Sequence, residues 1–198
     1  KRLAMHGARV VASSRKADAC QRVVDEIVAE GGQAEAIACH VGDPAQIEAA
    51  IAHIASAHGH LDILVNNAAT NPYFGPVVDT DLGAFQKTID VNIRGFFVAS
   101  CAAAKLMQRN GGGAIVNIGS IGGVVPGPYQ GIYSITKAAV IGMTKVFAAE
   151  CASMGVRVNA VLPGITQTRM TTTLVEDEAI LRQYLEHVPL DRVAQPPE

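Results

Sequence analysis

One stretch of the sequence decides the fold, residues 120–137, which read SIGGVVPGPYQGIYSITK. The segment before it, AIVNIG at 114–119, is apolar, rich in β-branched residues and closed by glycine, which predicts a buried parallel strand. After a loop rich in glycine and proline, an alanine-rich run over 133–154 predicts a long helix. This order places Ser120 at the carboxyl end of a strand, where open α/β sheets carry their chemistry.

Three side chains of this stretch suit carbonyl chemistry. Tyr133 and Lys137 are four residues apart, so both lie on one face of the predicted helix. A phenol with a pKa of about 10 exchanges protons poorly at neutral pH, and a nearby ammonium lowers that pKa toward the working range. The Ser120 hydroxyl can hold a substrate oxygen. Alone, Tyr-x-x-x-Lys is a common pattern, and an ordinary helix-surface pair beside a strand-end cap is the alternative interpretation.

The serine followed by Tyr-x-x-x-Lys at this interval resembles the short-chain dehydrogenase/reductase family, and the resemblance runs along nearly the whole chain. It implies a single α/β domain with a doubly wound, mostly parallel sheet of the Rossmann type. It also implies that Tyr133 is the general acid/base, that Lys137 lowers the tyrosine pKa and holds the nicotinamide ribose, and that Ser120 orients the substrate oxygen. Asn92, inside a helix predicted from Thr80 to Asn110, completes the tetrad. An amide that ties down a helix bend is the alternative reading of Asn92.

A basic turn follows the short strand predicted at residues 8–13, and it reads Ser14-Arg15-Lys16. In dinucleotide-binding folds an acid at this turn bonds the ribose 2′-hydroxyl, whereas basic residues accommodate a 2′-phosphate. Arg15 supplies a bidentate fork and Lys16 a point charge. The turn therefore favours NADP over NAD, and a solvated loop with two surface bases is the alternative.

The family resemblance implies further cofactor contacts near the ends of other strands. His40 stands where the family commonly has an adenine-contacting Asp, so the backbone of Val41 is expected to make the contact there. Residues 66–69 read NNAA where the family has Asn-Asn-Ala-Gly, and Asn66 is expected to be structural. The cofactor-binding set is Ser14, Arg15, Lys16, Val41, Asn67, Ala68, Tyr133, Lys137, Pro163, Gly164, Ile165 and Thr168. A helical lid over the substrate is expected at 169–185.

Composition argues for a globular protein and against several partners. Hydrophobic residues make up 49% of the chain and charged residues 17%, and the net charge of −2 suggests no nucleic-acid or membrane surface. The four cysteines are widely spaced, which predicts buried free thiols in a reducing compartment and hence a cytoplasmic protein. His53, His58 and His60 are interpreted as a solvated helix terminus with no carboxylate alongside, so no metal site is predicted.

Residues 1–198 contain no repeat or linker and predict one domain, but an incomplete one. The family's glycine-rich turn, Thr-Gly-x-x-x-Gly-x-Gly, is not in the sequence, and neither is the strand before it. In this fold that strand is central. We therefore expect a fragment cut at both ends, with a gap between the strands predicted at 8–13 and 61–65, or a strand from outside this numbering in that place.

The functional prediction is an oxidoreductase that transfers a hydride between NADP(H) and a ketone, aldehyde or alcohol. The loop at 70–76 and the basic turn look most like those of the family's broad-specificity ketone and retinal reductases. A catalytically inactive family fragment that acts only through helix association is the rival, and 3-oxoacyl thioesters or sugars are alternative substrates. Two long helices with many small residues, at 79–110 and 133–154, predict a homodimer or homotetramer.

Overall fold

The computed structural model describes residues 1–198, apart from the side chain of Thr173. Strands and helices alternate along the chain, as expected for an α/β domain. In chain order the elements are α1 (Arg2–Met5), β1 (Arg9–Ser14), α2 (Ala17–Ala29), β2 (Gln33–Ala38), α3 (Pro44–His58), β3 (Ile63–Asn66), α4 (Leu82–Ile89), a π-helix (Asp90–Arg94), α5 (Gly95–Arg109), β4 (Gly113–Ile118), α6 (Gly131–Glu150), β5 (Val156–Val161), α7 (Thr172–Glu176) and α8 (Glu178–Leu185).

The five strands form two separate parallel sheets. In one, β1 pairs with β2, with Arg9 opposite Gln33. In the other, β4 lies between β3 and β5. Among the strand pairings that the structure describes, β1 and β3 each pair along one edge only. A cleft of about 1,210 Å³, lined by both of these strands, separates the two sheets. The predicted gap at the place of the central strand is confirmed.

The main core lies where α5 and α6 pack on β4 and β5. Ile115 of β4 is completely buried, because the alternation of this strand points it at the two helices. The residues packed with it come from α5, α6, β5 and the turn after α6: Ala103, Ala104, Met107, Phe147, Cys151, Val156 and Val158. This apolar contact holds the strand end that carries Ser120 against the helix that carries Tyr133.

A buried polar network crosses the same region. The Asn66 side chain donates to the Ser100 hydroxyl at 3.0 Å and to the Asn117 side-chain oxygen at 2.9 Å. Asn117 in turn donates to the Thr144 hydroxyl of α6 at 2.9 Å. All four residues are buried, so the satisfied network fixes β3, β4, α5 and α6 in one arrangement. The structural role predicted for Asn66 is confirmed.

Two helix predictions need correction. The helix predicted to begin at Thr80 begins at Leu82, because the Asp81 carboxylate accepts the Ala84 N–H at 2.9 Å and caps it. The catalytic helix begins at Gly131, before Tyr133, and its regular part ends at Glu150.

The lid is less regular than a single helix. Residues 169–171 form a short 3₁₀ turn, which is followed by α7 and α8. The α8 helix begins at the Asp177 cap, whose carboxylate accepts the N–H groups of Ala179 and Ile180, each at 3.1 Å. One other helix, α6, is long and apolar enough to cross a membrane by length and composition alone. Its packing on β5 and its buried Lys137 identify it as a core helix of the domain.

Candidate active site

Ser120 and Tyr133 meet where β4 ends and α6 begins. The Ser120 hydroxyl accepts the Gly122 N–H at 3.1 Å, which starts a 3₁₀ turn at 121–123. This turn lies directly on α6, since a Cβ at Gly123 would come within 2.7 Å of the carbonyl carbon of Lys137. Glycine at 123 therefore permits the close approach that brings the serine next to the first turn of α6.

Lys137 is the most deeply buried charged side chain of the site, with 1% of its surface exposed. Its ammonium donates to the Ile118 carbonyl at 2.6 Å and lies 5.6 Å from the centre of the Tyr133 ring. Burial lowers the pKa of Lys137 to about 8. Below that pH a positive charge therefore lies beneath the tyrosine ring.

The pKa of Tyr133 corrects one prediction. Burial raises it above the usual value of 10, and the neighbouring Ser120 hydroxyl lowers it in part. The prediction of a lowered tyrosine pKa is therefore wrong for this structure, because the raising effect of burial outweighs the stabilisation of the phenolate by its neighbours. Tyr133 is therefore protonated at neutral pH and can donate a proton.

Asn92 lies at the centre of the π-helix and is completely buried. Its side-chain oxygen accepts the Thr70 N–H at 2.9 Å, and its nitrogen donates to the Thr70 carbonyl and the Thr136 hydroxyl, each at 3.0 Å. Thr136 in turn donates to the Tyr133 carbonyl at 2.7 Å. The predicted helix irregularity is present, and the Asn92 side chain reaches the backbone of Tyr133 through Thr136 rather than contacting Lys137.

The basic turn at the end of β1 is organised by its serine. The Ser14 hydroxyl donates to the Lys16 carbonyl at 3.1 Å and lies 3.1 Å from the Cys20 sulfur. Arg15 and Lys16 are exposed, and neither is in an ion pair among the side chains that the structure describes. One guanidinium and one ammonium group, both open to solvent at this position, fit a 2′-phosphate.

Four predicted cofactor residues share one cavity. Ser14, Val41, Asn67 and Ala68 all line the cleft between the sheets, at the carboxyl ends of the strands. His40, which replaces the expected Asp, accepts the Gly42 N–H at 2.9 Å with its ring nitrogen and so shapes the turn before α3. The small residues and polar groups at the carboxyl-end mouth of this cleft fit the adenosine half of a dinucleotide.

The loop after β5 contacts the serine turn. The Pro163 carbonyl accepts the Ile121 N–H at 3.0 Å, so the Pro163–Gly164 segment lies beside the end of β4. The Ile165 carbonyl accepts the Ala194 N–H at 3.0 Å, which leaves the Ile165 N–H as its candidate contact to a carboxamide. Thr168 is exposed and caps the 3₁₀ turn that follows it.

The prediction that no carboxylate lies beside the histidines is wrong. The His58 ring lies 2.8 Å from the Glu35 carboxylate and the His53 ring 3.6 Å from it, so a carboxylate does stand alongside them. The sequence could not indicate this pair, because Glu35 comes from β2, a separate element. No group of three metal-ligating side chains occurs among the residues described.

Two residues of the site are missing from the sequence-based set. Thr136 connects Asn92 to Tyr133, and its position one residue before Lys137 carried no separate signal. Tyr184 of α8 lies near Tyr133 and donates to the Pro128 carbonyl at 2.9 Å. An aromatic residue in a predicted lid was the signal that could have indicated it.

A parallel α/β fold with Ser120, Tyr133 and Lys137 at the carboxyl end of β4 defines a class, the dinucleotide-dependent oxidoreductases. The family model described as enoyl-(acyl carrier protein) reductase matches residues 1–198. Dehydrogenase/reductase SDR family member 4 from the rabbit, Oryctolagus cuniculus, is 36% identical over 198 residues, which is 100% of this chain and 76% of that protein. The chain belongs to the short-chain dehydrogenase/reductase family and is an NAD(P)-dependent oxidoreductase.

Solved structures agree with this assignment. A gluconate 5-dehydrogenase from Burkholderia cenocepacia J2315, in complex with NADP and tartrate, has a TM-score of 0.92 at 30% identity and covers 98% of this chain and 75% of its own. A 7α-hydroxysteroid dehydrogenase complexed with NADH and 7-oxo glycochenodeoxycholic acid has a TM-score of 0.90 at 33% identity, with the same coverage of 98% and 75%. Similar structures therefore hold either form of the cofactor.

Proposed function

We propose that the protein reduces ketones or aldehydes with NADPH, or oxidises the corresponding alcohols with NADP, and that Tyr133 is its general acid/base. The observation that carries the proposal is the Tyr133 phenol beside the Ser120 hydroxyl, with the Lys137 ammonium 5.6 Å from the centre of the ring. A proton donor, an oxygen-orienting hydroxyl and a buried cation at one strand end are what carbonyl reduction requires.

In this proposal each residue acts on the substrate oxygen. Ser120 donates a hydrogen bond that orients the carbonyl, and Tyr133 gives its proton to that oxygen as the carbon is reduced. Bound NADPH supplies the hydride. The Lys137 ammonium stabilises the resulting phenolate, which solvent then reprotonates. Asn92 acts as a positioning residue, because it holds the first turn of α6 through Thr136.

The preference for NADP rests on Arg15 and Lys16. Both are exposed beside Ser14, which lines the cleft, so both can reach a 2′-phosphate. Val41, Asn67 and Ala68 would hold the adenosine half, and Pro163, Gly164, Ile165 and Thr168 the nicotinamide half, with Lys137 on the ribose.

Arg15→Asp should lower the ratio of kcat/KM for NADPH to kcat/KM for NADH by roughly tenfold to a hundredfold, the value of a lost charged hydrogen bond. The acid also repels a 2′-phosphate and can accept from a 2′-hydroxyl. Arg109→Asp, the same change at the exposed end of α5, is the control. An unchanged ratio in Arg15→Asp would show that the 2′-phosphate is held elsewhere.

We also propose that residues 1–198 form one incomplete dinucleotide-binding and catalytic domain, whose cleft takes one further parallel strand. The support is the pair of unpaired edges that β1 and β3 present to the cleft. Activity is therefore to be measured on the strand-completed protein, defined as residues 1–198 preceded by one added strand and a glycine-rich turn. NADPH oxidation with a panel of ketones, 3-oxoacyl thioesters and sugars tests the function, and no turnover with any of them would favour the inactive rival.

We expect the strand-completed protein to be a homodimer or homotetramer in the cytoplasm. The four cysteines are free thiols, as in reducing compartments. The α5–α6 face exposes Phe97, Ile135 and Val146, each about half exposed at 50%, 53% and 52%. An apolar face of this kind on two adjacent helices favours self-association.

Phe97→Glu should convert that oligomer to a monomer, since it introduces a charge at the centre of the proposed interface. Light scattering at micromolar concentration measures the mass. Val28→Glu, at an exposed position of α2, is the control and should leave the mass unchanged. A monomeric unsubstituted protein would contradict the proposal.

A further inference from the structure

The lid segment, α7 and α8, is attached weakly along α8. None of the residues of α8, all of which the structure describes, is buried. Burial of apolar side chains supplies most of the free energy that docks a helix, so α8 must depend on a few specific contacts.

Tyr184 makes one such contact, in addition to the packing of α8 on α7 and its half-buried Ile180, Leu181 and Leu185. The Tyr184 hydroxyl donates to the Pro128 carbonyl at 2.9 Å. Pro128 belongs to the segment 124–130, called the catalytic loop below. Among the described hydrogen bonds, this bond is the one that joins an α8 side chain to the catalytic loop. The hydroxyl keeps its proton at any working pH, because burial and, second, the neighbouring Tyr133 phenol raise its pKa to about 12.

The Tyr184 ring packs directly against Gly127. A Cβ at Gly127 would overlap the ring carbons and the hydroxyl oxygen of Tyr184. Gly127 is not among the glycines with positive φ, so its backbone conformation is open to any residue. The glycine is therefore required by the close approach of the ring and not by the turn.

The catalytic loop is held from its other side as well. The Gly75 N–H donates to the Tyr129 carbonyl at 3.2 Å, and the Phe74 and Tyr129 rings pack edge to face at 5.9 Å. Because the loop is fixed there, a ring docked on Gly127 and Pro128 has one defined position, close to Tyr133.

From these contacts we infer that Tyr184 is a specificity-determining residue, which docks α8 on the catalytic loop and forms the wall of the substrate pocket beside Tyr133. This inference rests on the proposed carbonyl-reductase function. The wall limits the width of the group that can lie next to the reacting carbonyl, so small ketones are favoured over bulky ones.

Limited proteolysis of the strand-completed protein tests the docking without any need for activity. Trypsin can cut after Arg182 only when α8 opens, so the cleavage rate, scaled to cleavage after Arg109, reports the closed fraction. Tyr184→Phe should raise this rate about fivefold, the value of one net hydrogen bond, and Gly127→Ala should raise it further. The matched controls are Tyr129→Phe, on the same loop, and Gly142→Ala, where a Cβ meets nothing within 4 Å. Both should leave the rate unchanged.

Substrate selectivity tests the pocket wall. In the strand-completed protein, Tyr184→Ala should shift kcat/KM from small aliphatic toward aryl ketones by at least about tenfold. Unchanged cleavage in both Tyr184→Phe and Gly127→Ala would overturn the docking, and unchanged selectivity in Tyr184→Ala would overturn the wall. If the unsubstituted protein reduces no carbonyl compound, the proposed function fails while the proteolysis still decides the docking.

Discussion

Tyr133→Phe should reduce ketone turnover in the strand-completed protein by about 10²–10⁴-fold, the usual contribution of a general acid. The phenyl ring keeps the packing over Lys137 and removes only the hydroxyl that gives the proton. NADPH affinity should therefore stay within a few-fold of the unsubstituted value, which separates a chemical defect from a binding defect.

The measurements are single-turnover reduction and NADPH binding by fluorescence. Tyr129→Phe, which removes a hydroxyl from the neighbouring loop, is the control and should keep full turnover. Near-normal turnover in Tyr133→Phe would rule out Tyr133 as the acid.

The unsubstituted protein should reduce ketones at a steady rate below about pH 8 and more slowly above it, because Lys137, whose pKa burial lowers to about 8, then loses its charge.

The second large effect concerns the cleft between the sheets. The 198-residue polypeptide expressed alone should aggregate or unfold without a cooperative transition, and it should bind NADPH poorly. Strands in a sheet lie about 4.8 Å apart, so one absent strand separates its neighbours by roughly twice that spacing. Ile63 and Val65 of β3 are 42% and 43% exposed, and both line the cleft.

The energies involved are large compared with domain stability. Each large apolar side chain that the cleft leaves in water, Ile63 and Val65 among them, forgoes up to about 1.5–3 kcal/mol of burial. A whole domain is stable by only about 5–15 kcal/mol. The open edges also offer a template for pairing between molecules, which favours aggregation.

Calorimetry and NADPH titration on residues 1–198 and on the strand-completed protein measure the difference. The matched control carries proline at the centre of the added strand, since proline removes a backbone donor and should abolish the gain. A cooperative transition together with micromolar NADPH affinity in residues 1–198 alone would contradict this expectation.

Much of the fold follows from local patterns in the sequence. The three strands predicted at 8–13, 61–65 and 114–119 lie within two residues of their observed bounds, because β-branched runs closed by glycine or polar residues have few other structures. The Asp43 carboxylate accepts the Ala45 N–H at 3.0 Å and caps α3, as its residue type favours. The helix predicted from Thr80 begins at Leu82, because Asp81 directly follows Thr80 and either residue is a good cap by type.

The candidate site was predicted less completely. The spacing of Tyr133 and Lys137 determines that they share a helix face, but not where the ammonium is directed or how deeply the phenol is buried. The partners of Asn92, the pairing of Glu35 with His58 and the seat of Tyr184 on Gly127 all join residues from separate elements. Such contacts depend on how the helices and strands pack, and no local pattern encodes them.

The sequence by itself determined the parallel α/β architecture, the Ser120, Tyr133 and Lys137 constellation and the position of the gap, since each follows from the order and spacing of residues along one chain. Only the tertiary structure decided the direction of the tyrosine pKa, which burial raises, and the attachment of α8 through Tyr184. The physical reason is that backbone geometry sets which residues are neighbours along an element. Desolvation and close contact between elements arise only when those elements pack.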